Sequence, residues 1–460
     1  MVPRGDRSGA AVIFPLIPRW WHGVRYTTGL PEQDVILGAG VSGLAAAGAS
    51  GLRTYEADAA PGGICRSQYI RPGTSETFPS RPEDGCAYRF EVGGGHWIFG
   101  GDPAITAFLR SHTPMQVHRR RSAVYFPDSG RLVPFPLQYH LSHLEPDLAA
   151  RAFDEIRHSR LRVCETLSDW IEQNFGSTLT KLFFGPFHEA YTAGLWTSVA
   201  PADAFKSPLD LRLVERGMEG SDAETGYNHT LAYPSSGMDA LLAAMSRNAD
   251  LRLNHRAARI DCARREIQFE DGGGTSYRHL LSTIPLDRMV QLTGMTVDAV
   301  PGPATSVLTL NIGARRGPNC PDVHWIYLPR SRSGFFRVGF YSNVDPGFLP
   351  AHSPDRVAVY VERAYRSGQR PAPEAIEIYA RSAVEELRSW GMIGKLDVLS
   401  PSWVETAYTW SLPGSRWREL AMGRLLENGV CMTGRYGLWR FQGIAESVRD
   451  GLSAGAALRP

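Results

Sequence analysis

The residues with the plainest chemical use stand at Gly38-Ala-Gly40-Val41-Ser42-Gly43, which matches Gly-x-Gly-x-x-Gly. Such a turn works through its backbone. Gly38 makes the bend, Gly40 lets main chain approach a pyrophosphate, and Gly43 lets a helix sit close on its strand. A helix opening at Val41 and Ser42 would turn free N–H groups and the positive end of its dipole toward the same anion. Glu56, 18 positions beyond Gly38, falls where a carboxylate accepts hydrogen bonds from ribose hydroxyls. The glycine pattern alone is weak evidence. An apolar strand before it, an alanine-rich helix after it and an acid at the end of the next strand make it a dinucleotide signature. Gly48 and Gly51 stand where better helix formers are expected.

Positioning that turn requires a folded chain of some size. The sequence has 460 residues, 43% hydrophobic and 21% charged, which is globular usage at about three domain-lengths. Lys+Arg 49 against Asp+Glu 47 gives a formal charge of +2, which argues against a general nucleic-acid or anionic-membrane binder. Cys65, Cys86, Cys164, Cys262, Cys320 and Cys431 are scattered without a Cys-x-x-Cys pair. No disulfide framework or thiolate metal site is indicated, and a reducing cytoplasm is expected. No apolar run reaches the roughly 18 residues that a membrane span needs. Arg4 and Arg7 ahead of Ala10–Ile17 mimic a secretory signal, but Pro15 and Pro18 interrupt the run. Residues 1–33 are therefore expected to be a disordered extension, with regular structure starting at Asp34.

Strand and turn patterns place Val35–Leu37 and Leu52–Tyr55 around the signature. Helical spacing dominates residues 150–230. Strands are predicted at Val307–Ile312, His324–Leu328 and Phe335–Tyr341, with Arg330–Gly334 as a hairpin loop between the last two. A helix is predicted from Pro373 to Trp390.

Both FAD and NAD use the glycine signature. Gly62-Gly63-Ile-Cys-Arg-Ser67, just past Glu56, resembles the second glycine pair of the amine-oxidase-like FAD superfamily. Leu281-Ser-Thr-Ile-Pro-Leu286 is similar to the element returning to the flavin domain there. Thr433-Gly434-Arg435 and Gly443-Ile444-Ala445 resemble its closing flavin segment. Other segments resemble the UDP-galactopyranose mutases, especially the eukaryotic-type branch and its bacterial relatives. They are Glu91-Val-Gly-Gly-Gly95-His96, Val133-Pro-Phe-Pro-Leu-Gln138, Phe184–Trp196, Tyr233-Pro-Ser-Ser-Gly237, Trp325-Ile-Tyr327 with Arg337 and Asn343, and Gly434-Arg-Tyr-Gly-Leu-Trp-Arg440-Phe441. The likeness runs over about residues 34–450.

The resemblance implies an α/β fold with a Rossmann-like FAD-binding domain, an interleaved helical insertion and a mixed or antiparallel β-sheet substrate domain. The FAD domain would take residues 34–110, 230–300 and 400–460, the largely helical substrate or lid domain 111–229, and the sheet 301–399. Non-covalent FAD, active when reduced, would be bound by Gly38, Gly40, Val41, Ser42, Gly43, Glu56, Gly62, Gly63, Ser67, Gly95, His96, Gly434, Arg435, Gly443 and Ile444. The implied activity is a nucleotide-sugar pyranose–furanose mutase, in which reduced flavin N5 is the nucleophile at the anomeric carbon. His96, Arg337 and Arg212 take the catalytic positions. Gln138, Trp325, Tyr327, Arg337, Asn343, Tyr408 and Arg440 face the substrate. NAD(P)H or another external reductant would charge the flavin, and no metal is called for.

Departures from the family pattern accompany this. Val344, Phe441 and Phe135 replace tyrosines, and Gln442-Gly-Ile-Ala is closer to porphyrinogen oxidases. The alternative is an FAD-dependent oxidase or dehydrogenase of the amine oxidase or protoporphyrinogen oxidase type.

Overall fold

The computed structural model describes residues 33–100, 102–159, 162–201, 209–220 and 229–458. Of the expected N-terminal extension, only Gln33 lies within the described residues.

A five-stranded sheet, parallel throughout, carries the dinucleotide half. Its order is Leu251–Arg252, Arg53–Tyr55, Val35–Leu37, Leu280–Ser282, Val430–Met432. Val35–Leu37 is central and wholly buried, as expected for a parallel strand covered on both faces. The next strand in sequence lies on one side of it and a much later one on the other. The chain therefore reverses its winding at the carboxyl end of Val35–Leu37, where ligands settle in doubly wound sheets. Asp34 anchors the start of this strand. Its carboxylate accepts from Arg278 at 2.9 and 2.7 Å and from the His279 N–H at 3.1 Å. Burial opposes that charge, but His279 and Arg278 outweigh it and hold the Asp34 pKa at about 2.

The helix Val41–Ser50 ends on Gly51, which takes the left-handed conformation (φ +73°) and donates its N–H to the Ala47 carbonyl. The closing helix Ile444–Ala457 packs on Val41–Ser50 at backbone distance. A Cβ added to Gly451 would lie 2.2 Å from the Ser42 carbonyl oxygen, and one added to Gly455 would lie 2.3 Å from that of Ala46. Gly48 has no such reason, because nothing lies within 4 Å of its Cβ position.

A seven-stranded sheet carries the other half, in the order Ile393–Thr409, Ala304–Arg316, Arg356–Arg366, Arg337–Phe340, Trp325–Tyr327, Ser122–Phe126, Arg131–Pro134. Trp325–Tyr327 and Arg337–Phe340 pair antiparallel across the anticipated hairpin. Two features differ from the sequence reading. Residues 115–134, expected within a largely helical segment, form three strands, two of which complete this sheet. Residues 400–409, expected with the FAD domain, finish its edge strand. Long-range pairing decides both, since Ser122–Phe126 finds its parallel partner two hundred residues on, in Trp325–Tyr327. Helices follow from Pro146. Leu167–Leu179 starts on a capping box in which Thr166 accepts from the Asp169 N–H and Asp169 accepts from the Thr166 N–H. The predicted C-terminal helix is Pro373–Ser389, with proline at its first turn. Among the described residues no helix is long and apolar enough to cross a membrane.

Candidate active site

The glycine turn is a backbone cradle. Gly38 has φ +97°, and a Cβ there would fall 2.5 Å from Thr283 Oγ1; one on Gly43 would fall 1.9 Å from the Gly38 carbonyl oxygen. Packing demands both glycines. Gly40 differs, because nothing lies within 4 Å of its Cβ position. It borders open space at the start of the helix Val41–Ser50, whose N-cap has no side-chain hydrogen bond. Gly40 and Gly62 form an isolated parallel bridge, and Gly63 stands against the Gly40 Cα. Glu56 is buried and accepts from the N–H groups of Ala39 at 2.7 Å and Asp58 at 3.0 Å. Its carboxylate is thereby fixed beside the turn, and each oxygen can still accept a second bond.

Further pieces converge here. Gly434 (φ +75°) passes so close to Ser42 that a Cβ would fall 2.4 Å from its Oγ. Arg435 donates to the Gln442 and Ala407 carbonyls at 2.8 Å each and lies over the Phe441 ring at 4.4 Å. Ile444 opens the closing helix, and Gly443 donates to Glu446 at its cap. Ser67 Oγ and Tyr436 Oη are buried without a hydrogen-bond partner among the described residues. An open backbone cradle at a helix N-terminus, a fixed acid and unsatisfied buried hydroxyls suit a flavin dinucleotide.

The loop Val92–His96 lies on the second glycine turn, with Gly93 N–H donating to the Ile64 carbonyl at 3.0 Å and Val92 N–H to Arg66 at 2.9 Å. Beneath it runs the seven-stranded sheet. A Cβ on Gly94 would fall 2.8 Å from Glu362, and one on Gly95 would fall 2.7 Å from Tyr360. His96 donates its backbone N–H to buried Glu91 at 2.8 Å, and its Nδ1 stands 2.7 Å from the Gly94 carbonyl oxygen.

On the sheet, Arg337 pairs with Glu362 and reaches Tyr408 Oη at 3.4 Å. Burial works against the Arg337 charge, but Glu362 leads the groups that raise its pKa well above the ordinary value. Tyr408 stacks parallel to Phe441 at 6.0 Å, and burial pushes its pKa up to about 12. Tyr327 lies between Phe135 at 4.8 Å and Phe187 at 5.3 Å. Tyr191 meets Phe336 at 5.4 Å and Tyr408 at 4.7 Å. The result is an aromatic-walled site with an arginine–carboxylate pair beside the Val92–His96 loop.

Other predicted residues are placed differently. Trp325 is buried in the core against Phe99, its Nε1 without a partner. Gln138 is also buried, with Oε1 unsatisfied, on the short turn Leu137–Tyr139. Asn343 spends its amide on the Pro321 and Val323 carbonyls at 2.9 and 2.7 Å, which braces a loop. Arg440 pairs with buried Asp450 at 2.8 Å. Arg212 is exposed on the helix Leu211–Met218. The sequence reading missed Glu362, Glu91, Tyr360, Phe187, Tyr191 and Arg120. Arg120 lies 5.7 Å from the Phe135 ring, and burial lowers its pKa. The aromatic run Phe183–Tyr191, the triplet Arg119–Arg121 and the Gly-Gly-His motif that opens on Glu91 were visible signals; Glu362 was not.

The parallel sheet with this glycine cradle, beside a seven-stranded mixed sheet, has the architecture of a flavin-binding oxidoreductase. The chain belongs to the flavin-containing amine oxidoreductase family, whose sequence profile matches residues 43–458. The fold is similar to that of reduced UDP-galactopyranose mutase, with TM-score 0.79, 22% identity, and coverage of 92% of this chain and 94% of that one. It also resembles an Exiguobacterium sp. 255-15 protein assigned by inference as a protoporphyrinogen oxidase (TM-score 0.68, 15% identity, coverage 94% and 99%). Putrescine oxidase bound to putrescine matches at TM-score 0.55, 16% identity and coverage 93% and 98%. No curated protein matches the chain by sequence.

Proposed function

We propose that this protein is a flavin-dependent mutase that interconverts pyranose and furanose forms of a nucleotide-linked sugar. The observation that carries the reading is the placement of Arg337. On the seven-stranded sheet it pairs with Glu362, which stands under Gly94, and it reaches Tyr408 Oη. A planar guanidinium there meets the needs of a diphosphate that is both handle and leaving group. The fold likeness to a UDP-galactopyranose mutase across both chains supports the same reading. Non-covalent FAD, reduced by NAD(P)H or another donor, would supply a nucleophile for the anomeric carbon. The cradle at Gly40–Gly43 with Glu56 would hold its dinucleotide end.

The chain's own residues would do the rest. Arg337 would bind the diphosphate and meet the charge released as the C–O bond breaks, with Tyr408 Oη donating beside it. Phe187, Tyr191 and Phe336 would exclude water from the reacting face. His96 would hold a proton on Nδ1 against the Gly94 carbonyl.

One observation favours an oxidase instead. Glu362 cancels much of the Arg337 charge, and Phe441 and Val344 offer no hydroxyl, so the site suits a less anionic substrate than the mutase pattern does. Binding separates the two readings. Titration of the holoprotein with UDP should perturb the flavin spectrum saturably, and Arg337→Lys should weaken that binding at least tenfold. No binding at millimolar UDP would discard the mutase reading.

A further inference from the structure

We infer that Glu91 is the positioning residue of the flavin loop, its buried carboxylate locking the His96 imidazole with hydrogen on Nδ1 and keeping a positive charge beside the second glycine turn. The inference rests on the reading that FAD lies along that turn.

Glu91 ends the strand Tyr88–Glu91 and is fully buried. One carboxylate oxygen accepts the His96 backbone N–H at 2.8 Å and faces His96 Nδ1 at 3.2 Å. The other accepts the Tyr233 O–H at 2.6 Å. Its carbonyl accepts from Asn311 at 3.2 Å and Tyr341 at 3.3 Å, so the residue is held at both ends. Nδ1 also lies 2.7 Å from the Gly94 carbonyl oxygen. A carbonyl and a carboxylate only accept, so Nδ1 must carry hydrogen; the tautomer follows from the partners.

The charge follows from the same geometry. A buried carboxylate is costly unless a cation balances it. Arg89, on the same strand face, is committed to Asp345 at 2.5 Å. That leaves the His96 imidazolium to balance Glu91. Cys65 faces the imidazole from the glycine turn, and Tyr436 lies near Cys65. The Arg337–Glu362 pair and Tyr360 lie below Gly94 and Gly95, and Tyr233 stands behind Glu91. Burial opposes the charged form, but Cys65 and Glu91 raise the His96 pKa to about 10. A fixed cation on this loop would favour the anionic reduced flavin.

The test uses holoprotein labelled at histidine nitrogen, titrated by NMR, with the flavin potential measured in parallel. Glu91→Gln should lower the proton affinity of His96 at least a hundredfold. It should also shift the flavin equilibrium toward the oxidised form at least tenfold, about 30 mV for two electrons. Flavin content should stay intact. Glu91→Asp, which keeps the charge but shortens the arm, should move both readings the same way by a smaller factor, and it carries the test if Glu91→Gln does not fold. Identical His96 titration in wild type and both variants would overturn the role of Glu91. A His96 shift with no change in potential would overturn the placement of the loop beside flavin.

Discussion

Arg337 and Glu362 stand directly opposite each other in the register of two adjacent antiparallel strands, and the guanidinium Nε donates to the buried carboxylate. Neither group can be changed alone without consequence for the other. Arg337→Ala should cost about 3–5 kcal/mol in urea unfolding, because it strands a buried carboxylate. The double variant Arg337→Met/Glu362→Leu should recover most of that stability while still failing to bind UDP. If Arg337→Ala is as stable as wild type, the pair is not buried as described.

The glycines should separate by role. Gly40→Val should contain no flavin and melt near the Tm of flavin-free wild type, because its side chain enters the open cradle. Gly43→Ala should damage folding itself, since its Cβ would meet the Gly38 carbonyl oxygen. Gly48→Ala should stabilise by about 0.5–1 kcal/mol, as an alanine in helix with free space around it. Thermal melts and released flavin absorbance check all three.

Phe441→Tyr should strengthen binding of a nucleoside diphosphate by roughly tenfold. The ring already stacks on Tyr408, under Arg435. A hydroxyl there would restore a donor to an anion, worth about 1–3 kcal/mol when charge-assisted. Isothermal titration with UDP reads the change; unchanged affinity would place the diphosphate elsewhere.

Acid should destabilise the fold through half-buried His188 and buried His324. Burial holds His188 neutral, with its pKa lowered to about 4, and burial with Arg121 and His118 lowers His324 to about 3. Both folded-state values lie below the unfolded one, near 6.5. Their contribution is complete above pH 6.5 and is lost as pH falls toward 4 and then 3. His96 runs the other way, its contribution being complete below pH 6.5 and lost as pH rises through about 10. Urea midpoints from pH 3 to 10.5 should show both slopes, with His324→Gln flattening the acid limb.

Much of the cofactor half was legible because its signals are local. Val35 to Glu56 spans one strand, one turn, one helix and the next strand, and Gly38 and Gly43 each have a steric reason. The substrate half was less legible, because cross-strand register brings its groups together. Nothing near Glu362 in sequence announces Arg337, and nothing near Ser122 announces Trp325. Asn343 and Arg440 had the right spacing for a site but found closer partners in backbone carbonyls and Asp450. Gly451 and Gly455 lower helix propensity, yet they are what lets the closing helix touch Val41–Ser50.

The most direct test of the mutase reading is redox stoichiometry during turnover. Protein reduced anaerobically with a single equivalent of dithionite is mixed with excess nucleoside-diphosphate sugars, and products are followed by NMR while the flavin spectrum is recorded. The expected result is many turnovers of pyranose–furanose interconversion, with flavin still reduced and no reductant consumed. No sugar isomerisation, together with one peroxide formed per two electrons removed from an amine or porphyrinogen in air, would contradict it and make the protein an oxidase.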